Sequence, residues 1–541
     1  MSEHFSTSAV SYAGALLTAE TGVETPSQAS RRIKKTEGFS EDNSFAIQGD
    51  NGFKNEDYRC GGPGLVRLPT LNEILKPNEP LHILYHEELV GSLRDILEKW
   101  NVDSRFIHLV RRYHARDSPE SSMECIVVSA KKHKLDDSWL NACREIRDLF
   151  LEHGRTSSAT ANGRFLQFSL GVQHLVHFIV HHLDTNDLTL IAVEIIRDSI
   201  FHCSVQESVL EERDWDIKAK LGGSLGMQGK STSSFTFGGF LELQFHRNHQ
   251  WKRFGLTNFH FMTNDHCLDD WKSQGIMPGD SRNHLTIDHP SRGDYNKSIK
   301  HYEKEASSIR TQEYYETKKR MENKDPSLSR IKVANFKHDT DLMNGYIRMA
   351  RLANEFYLEG GQYLGKVYAA SGYRITPSNR LLDWALIEVE RERLSDNGIP
   401  RVEDLPRSCR ERYYPADNTV IKGATNLDAD MPLCKIGSRT GFTEGRLGAL
   451  HVTDLQSWSK NPDGSWNKVR GSLHEIFLVA PRGTFGDPPG DSGDIMMDRN
   501  GSFVGLYVGG FLESGTGYFM EAKDLFEDIR AITGATDVKV P

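Results

Sequence analysis

The stretch Phe485-Gly486-Asp487-Pro488-Pro489-Gly490-Asp491-Ser492-Gly493-Asp494, followed by Ser502-Phe503-Val504-Gly505-Leu506-Tyr507-Val508-Gly509-Gly510, decides how this chain is read. The first run is a glycine-flanked turn carrying one serine, and the second is strand-like. Acyl transfer needs an exposed hydroxyl and backbone N–H groups aimed at one point. Glycine permits that backbone geometry and the close approach of a substrate carbonyl. Gly, Asp and Ser are also ordinary turn formers, so the tract has meaning only if a base and an orienting acid occur upstream.

Both occur. Phe254-Gly-Leu-Thr-Asn-Phe-His260 ends a hydrophobic run on a histidine, and Leu381-Leu-Asp383-Trp-Ala-Leu-Ile-Glu-Val389 starts a strand on an aspartate. With Ser492 the order is His, Asp, Ser. Here the chain resembles the trypsin-like serine peptidases, and the intracellular fungal members among them. Leu256-Thr-Asn-Phe-His260 is similar to the family's Leu-Thr-Ala-Ala-His, Asp383-Trp-Ala-Leu-Ile387 to its Asp-Ile-Ala-Leu-Leu, and Gly490 to Gly493 to its Gly-Asp-Ser-Gly.

The resemblance covers about residues 221–541. It implies a chymotrypsin-type double β-barrel and a serine endopeptidase working through an acyl-enzyme. Ser492 would be the nucleophile, His260 the base, Asp383 the orienting acid, and the N–H groups of Gly490 and Ser492 the oxyanion hole. Val508, Gly509 and Gly510 would bind substrate in extended form. No cofactor or metal is expected. The alternatives are a weak or inactive peptidase-fold module for binding or signalling, and an esterase. The Ser-Asp-His order of α/β-hydrolases is absent.

Composition sets the bounds. At 541 residues the chain should hold two to four domains. Lys and Arg number 66 against 75 Asp and Glu, a mildly acidic balance without the basic patch of a nucleic-acid binder. No apolar run approaches the roughly 20 residues that cross a bilayer, and Met1 to Ser30 lacks the apolar core of a secretory signal. Seven scattered cysteines show no framework spacing, so a reducing compartment, cytoplasm or nucleus, is expected. The resemblance departs on this point too: Phe261 stands where secreted relatives place a cysteine. The expected partners are protein or peptide substrates, with a further protein contact open to the N-terminal domain or a helical insertion.

Along the chain, residues 1–75 read as a polar, disordered tail and 80–220 as a small α/β accessory domain. Within that domain Glu124–Ser129 and Asp187–Ile196 are strand candidates, and Asp137–His153 is a helix. The peptidase domain, 221–541, opens with a hairpin over Phe235–Phe245 and Trp251–His260. Residues 298–360 read as a helical insertion, 396–418 as the crossing between barrels, and 419 onward as the second barrel. Ser438–Glu444 is a turn before the strand Gly445–Leu450, and Lys523–Ile532 is a closing helix.

Rival aspartates are Asp265, Asp269 and Asp294, the last read as part of an exposed turn. Asp494 is read as pointing along its strand. No cleavage junction like Arg-Ile-Val-Gly-Gly is visible, so Asp491 needs a partner other than a freed N-terminus, and activation by processing is not expected. Gly486 occupies the place where the resemblance puts a pocket aspartate, with Asp487 adjacent, so Lys/Arg specificity is not predicted. His174, His177 and His181, with Asp184, recur at helical spacing. Their apolar neighbours fit an amphipathic helix better than a metal site.

Overall fold

The computed structural model describes residues 53–541, except 56–58, 63–64, 67–69, 74, 76–78, 115–116, 132–135, 162–190, 198–208, 231–233, 247–249, 264–267, 402–419, 429–430, 461–465, 479–487 and 512–515. Outside the described residues lie most of the expected tail, the histidine series with Asp184, Asp265, most of the crossing, and Gly486 with Asp487.

The expected tail ends earlier than residue 75. Strands β1 (Lys54–Asn55), β2 (Arg59–Gly62) and β3 (Thr70–Glu73) already belong to a sheet. They are too short and polar to show periodicity, and their pairing partners define them. Next come α1 (Pro80–Leu84) and α2 (Val90–Lys99), then β4 (Asp103–His114), β5 (Met123–Lys131), α3 (Ser138–Ala161) and β6 (Ala192–Arg197). β5 and β6 run parallel across α3, the kind of long crossover that parallel pairing requires. Leu93, Leu97, Ile126, Val128, Ile146, Phe150 and Val193 fill the core between helices and sheet. Glu194, buried in this sheet, pairs with Arg59 and Arg112.

The first barrel is built from β7 (Ser224–Met227), β8 (Phe235–Thr236), β9 (Gly239–Gln244), β10 (Trp251–Thr257), β11 (Thr286–Asp288), β12 (Tyr363–Ala370) and β13 (Ala385–Val389), with α4 (Asp269–Gln274) beside it. Its strand order is β9-β10-β13-β12-β11-β7-β8. The sheet curls back on itself where Gly238, just past β8, donates its N–H to the Leu256 carbonyl of β10 (2.9 Å). Residues alternate between two cores, as the period of a strand demands. Ala385 and Ile387 face the barrel interior with Phe237 and Phe240, whereas Leu386 joins Leu256, Phe503 and Leu506 between the barrels.

The insertion between β11 and β12 forms α5 (Arg292–Ile309), α6 (Gln312–Glu322) and α7 (Arg330–Leu358), starting slightly before the expected residue 298. Ser291, Thr311 and Ser329 cap the three helices with their side-chain oxygens, satisfying N–H groups that have no partner within a helix. Tyr295 of α5 stacks on Tyr357 of α7 with ring centroids 3.9 Å apart.

The second half contains β14 (Lys422–Ala424), β15 (Pro432–Gly437), β16 (Gly441–Lys460), β17 (Trp466–Leu478), the short helix α8 (Pro488–Asp491), β18 (Ile495–Asp498), β19 (Ser502–Phe511), β20 (Thr516–Glu521), α9 (Ala522–Thr533) and β21 (Asp537–Lys539). The order β16-β15-β18-β19-β20-β17 closes because β17 also pairs with β16, giving an antiparallel barrel around Leu433, Leu447, Met496, Val504, Tyr507 and Phe519. The turn expected over Ser438–Glu444 is confined to Ser438–Thr440, and β16 is far longer than expected. Its continuation pairs with β4, Thr453 opposite Ile107 and Asp454 opposite Phe106, so one sheet runs from the N-terminal layer into the second barrel. α9 buries Leu525, Ile529 and Ile532 in the inter-barrel core. The fold is thus a double β-barrel with a helical insertion, preceded by an α/β layer. Among the described residues no helix is long and apolar enough to cross a membrane.

Candidate active site

β10 and β13 are antiparallel neighbours with Thr257 opposite Ala385. That register brings His260, three residues beyond the end of β10, against Asp383, two residues before β13. The aspartate lies in the lead-in to the strand, and its bonding explains why. Asp383 Oδ1 accepts the N–H groups of Phe259 (2.9 Å) and His260 (2.8 Å), its Oδ2 lies 2.5 Å from His260 Nδ1, and its carbonyl accepts Asn258 Nδ2 (2.8 Å). The carboxylate therefore sets both the backbone and the ring of the histidine. A carboxylate at Nδ1 favours the tautomer protonated there, which leaves Nε2 as the basic nitrogen. The side chains of His260 and Asp383 are 12% and 8% exposed, and at such depth hydrogen bonds and charges are weakly screened.

Ser492 follows α8 in a turn stitched to β8. Its carbonyl accepts the N–H of Thr236 (3.0 Å), and the Gly490 carbonyl accepts the hydroxyls of Thr236 (2.5 Å) and Ser438 (2.6 Å). Gly493 has φ +100°, and a Cβ there would stand 2.5 Å from the Thr236 carbonyl, so only glycine fits. The same Thr236 carbonyl accepts the hydroxyl of Thr257 (3.0 Å), three residues before His260. One two-residue strand thus holds the serine turn on one side and the histidine segment on the other.

The Ser492 hydroxyl donates to the Val508 carbonyl (2.8 Å). Val508 is the extra residue of a bulge, since Tyr507 and Gly509 face successive residues of β20, and this leaves its carbonyl off the ladder. Ser492 as a whole is 1% exposed. The hydroxyl is therefore buried, against the exposed position expected from sequence: the turn is packed between β8 and β19. Val508, Gly509 and Gly510 lie in β19, the strand expected to receive substrate.

A carboxylate–imidazole pair thus stands at the end of one barrel, and a serine in a glycine turn leads into the other. The chain belongs to peptidase family S64. Residues 214–535 match the family, and the protein is a serine-type peptidase, so its substrates are proteins or peptides. No curated protein matches it. Among solved structures it is similar to a glutamic acid specific serine protease that utilizes a histidine triad in substrate binding (12% identity, 60% of this chain and 100% of that one, TM-score 0.29). It is also similar to the Cellulomonas bogoriensis chymotrypsin (14%, 59% and 98%, TM-score 0.26) and the Nocardiopsis protease NAPase (12%, 58% and 95%, TM-score 0.26).

The S64 peptidase supplies the partner of Asp491 from within its own second barrel. Lys435 Nζ, on β15, donates to Asp491 Oδ2 (2.9 Å), Asp494 Oδ2 (2.9 Å) and Thr440 Oγ1 (3.0 Å). Asp491 Oδ1 also accepts the N–H groups of Arg439 (2.9 Å) and Thr440 (3.3 Å). Asp494 does not run along its strand as expected; it turns to the same ammonium, and all three charged side chains have no exposed surface. Burial, and then Asp491 beside it, push the Asp494 carboxyl well above its usual range despite Lys435. Burial opposes the charge of Lys435, but Asp491 and Asp494 outweigh it and raise its pKa.

Sequence reasoning missed Lys435, whose signal was a lone lysine between Cys434 and Ile436 in an otherwise apolar strand. It also misjudged Asp294. That residue is no exposed turn: it is fully buried in the first turn of α5, bonded to Arg439 Nη2 (2.6 Å). Burial would raise its pKa, but the charge of Arg439 and the Ser234 hydroxyl hold it below the usual carboxylate value. The rival Asp269 lies in the first turn of α4, where Lys272 pairs with it.

Proposed function

We propose that this chain is a serine endopeptidase in which Ser492, His260 and Asp383 form the catalytic triad. In the reaction the Ser492 hydroxyl gives up its bond to the Val508 carbonyl and donates to His260 instead. Oγ then attacks the substrate carbonyl carbon as Nε2 takes its proton. Asp383 holds the ring and stabilises the imidazolium. The oxyanion forms against the N–H groups of Gly490 and Ser492, each contributing about 3 to 4 kcal/mol in a preorganised site. His260 returns the proton to the leaving amine, and water cleaves the acyl-serine by the same steps.

Val508, Gly509 and Gly510 pair with an extended substrate backbone, the glycines leaving room for a side chain. Because Ser492 is buried, substrate reaches it only after the covering atoms part. Lys435 holds Asp491 in place of a cleaved N-terminus, so the chain acts without processing. Residues 221–541 carry the chemistry and 80–220 are accessory. The buried thiols of Cys60, Cys125, Cys143 and Cys434 suit a reducing compartment.

The observation that carries the reading is the 2.5 Å contact between His260 Nδ1 and Asp383, in a chain whose serine turn hangs from the same strand as the histidine segment. The test is labelling of purified full-length protein by a fluorophosphonate, with Ser492→Ala alongside. Labelling of the parent and none of the variant is expected; equal labelling of both rules out Ser492.

A further inference from the structure

We propose that the helical insertion is a positioning element for the nucleophile turn, acting through Asp294 and Arg439; this rests on Ser492 being the nucleophile. Asp294 reaches that turn by two routes. In the first, its carboxylate accepts Arg439 Nη2 (2.6 Å), with the two side chains 0% and 3% exposed. The Arg439 backbone N–H donates to Asp491 (2.9 Å), and its stem lies so close over Gly490 that a Cβ on that glycine would stand 1.8 Å from Arg439 Cγ. In the second, Asp294 accepts the Ser234 hydroxyl. Ser234 directly precedes β8, whose Thr236 bonds the carbonyls of Gly490 and Ser492.

Asp294 is fixed in its turn by the helix that carries it. Ser291 caps α5 by accepting the Asp294 N–H (3.1 Å) and donates its own hydroxyl to the carboxylate (3.0 Å). α5 is braced by α7 through the Tyr295–Tyr357 stack and through Tyr295 Oη on Asn354 (2.6 Å). A buried charge held at both ends transmits displacement poorly absorbed by solvent, so a shift of α5 moves the Gly490 and Asp491 backbone from two sides. Those backbone groups include one of the proposed oxyanion donors, Gly490, and adjoin the other, Ser492, where small misplacements are costly.

The test uses the full chain and a peptidyl fluorophosphonate over a concentration series, which separates the maximal acylation rate from the half-saturating concentration. Urea melts normalise each rate to folded protein. Asp294→Asn and Arg439→Met should each lower the maximal rate on the order of ten- to a hundredfold, at unchanged half-saturation. The double variant should be no slower than the worse single one, because both remove one link. Arg439→Lys should recover part of the loss. Arg439→Gln, which keeps the stem over Gly490, replaces Arg439→Met should that protein not fold. Wild-type rates per folded molecule, or losses that multiply in the double variant, would overturn the coupling alone. No labelling of the parent at Ser492 would overturn both the coupling and the catalytic reading beneath it.

Discussion

Replacing Lys435 by Met removes the ammonium at the centre of three completely buried charged side chains and leaves a side chain of similar length. Deleting one partner of a buried ion pair costs about 3–5 kcal/mol, because the other charge is stranded. Here burial and the neighbouring Asp491 raise the pKa of Asp494, which lessens the charge it leaves unmatched. The stranded group is Asp491, which keeps the N–H groups of Arg439 and Thr440 and the Thr440 hydroxyl. The lower end, about 3 kcal/mol, is therefore expected, and within a stability of about 5–15 kcal/mol the variant still folds.

Asp491 is also the residue before Ser492, so a turn that relaxes to reach other partners displaces the oxyanion donors. The acylation rate per folded molecule should fall on the order of a hundredfold. Urea denaturation reads the first loss and fluorophosphonate labelling the second. Adding Asp491→Asn to Lys435→Met removes the stranded charge, and should restore part of the stability but none of the rate. A Lys435→Met protein with the parent's urea midpoint and labelling rate would refute the assignment of Lys435 as the internal partner of this turn.

Two further outcomes follow from the same site. Asp383→Asn keeps the shape but spoils the tautomer control at His260, and should lower the turnover rate on the order of 10⁴-fold without unfolding the chain, read by peptide hydrolysis beside circular dichroism. Asp494→Asn tests the sign of a titration. A carboxyl whose folded pKa lies above its unfolded value, about 3.9, binds its proton more tightly when folded, so the parent loses stability as pH rises from there through the raised value. The Asn variant cannot, and its stability relative to the parent should grow in urea melts as pH rises above about 4; a gap independent of pH would contradict the raised pKa.

Where the sequence reading succeeded and failed follows from range. That His260 and Asp383 stand at the ends of apolar strands and Ser492 in a glycine turn could be read from the sequence, because such features are written within a few residues. The hairpin of β9 and β10 and the closing helix α9 were legible for the same reason. Lys435 was not, because its meaning lies 56 residues away at Asp491. Asp294 was misread as solvent-facing because Ser291-Arg-Gly-Asp-Tyr295 is polar, and only the arrival of Arg439, 145 positions later, makes burial tolerable. β1 to β3 carry no apolar alternation and exist by virtue of their neighbours. Ser492 was expected in the open because acyl transfer needs an exposed hydroxyl, yet Thr236 and Val508 take up its backbone and hydroxyl.

The seam between β4 and β16 has a practical consequence. Cutting the chain down to residues 214–535, the span that matches the family, would strip Phe106 and Ile107 from Thr453 and Asp454. The flank left behind would carry raw amide and carbonyl groups, adhesive toward any extended segment, including identical molecules in the same tube. Clumping of such a fragment would then report on its amputation and not on the native enzyme.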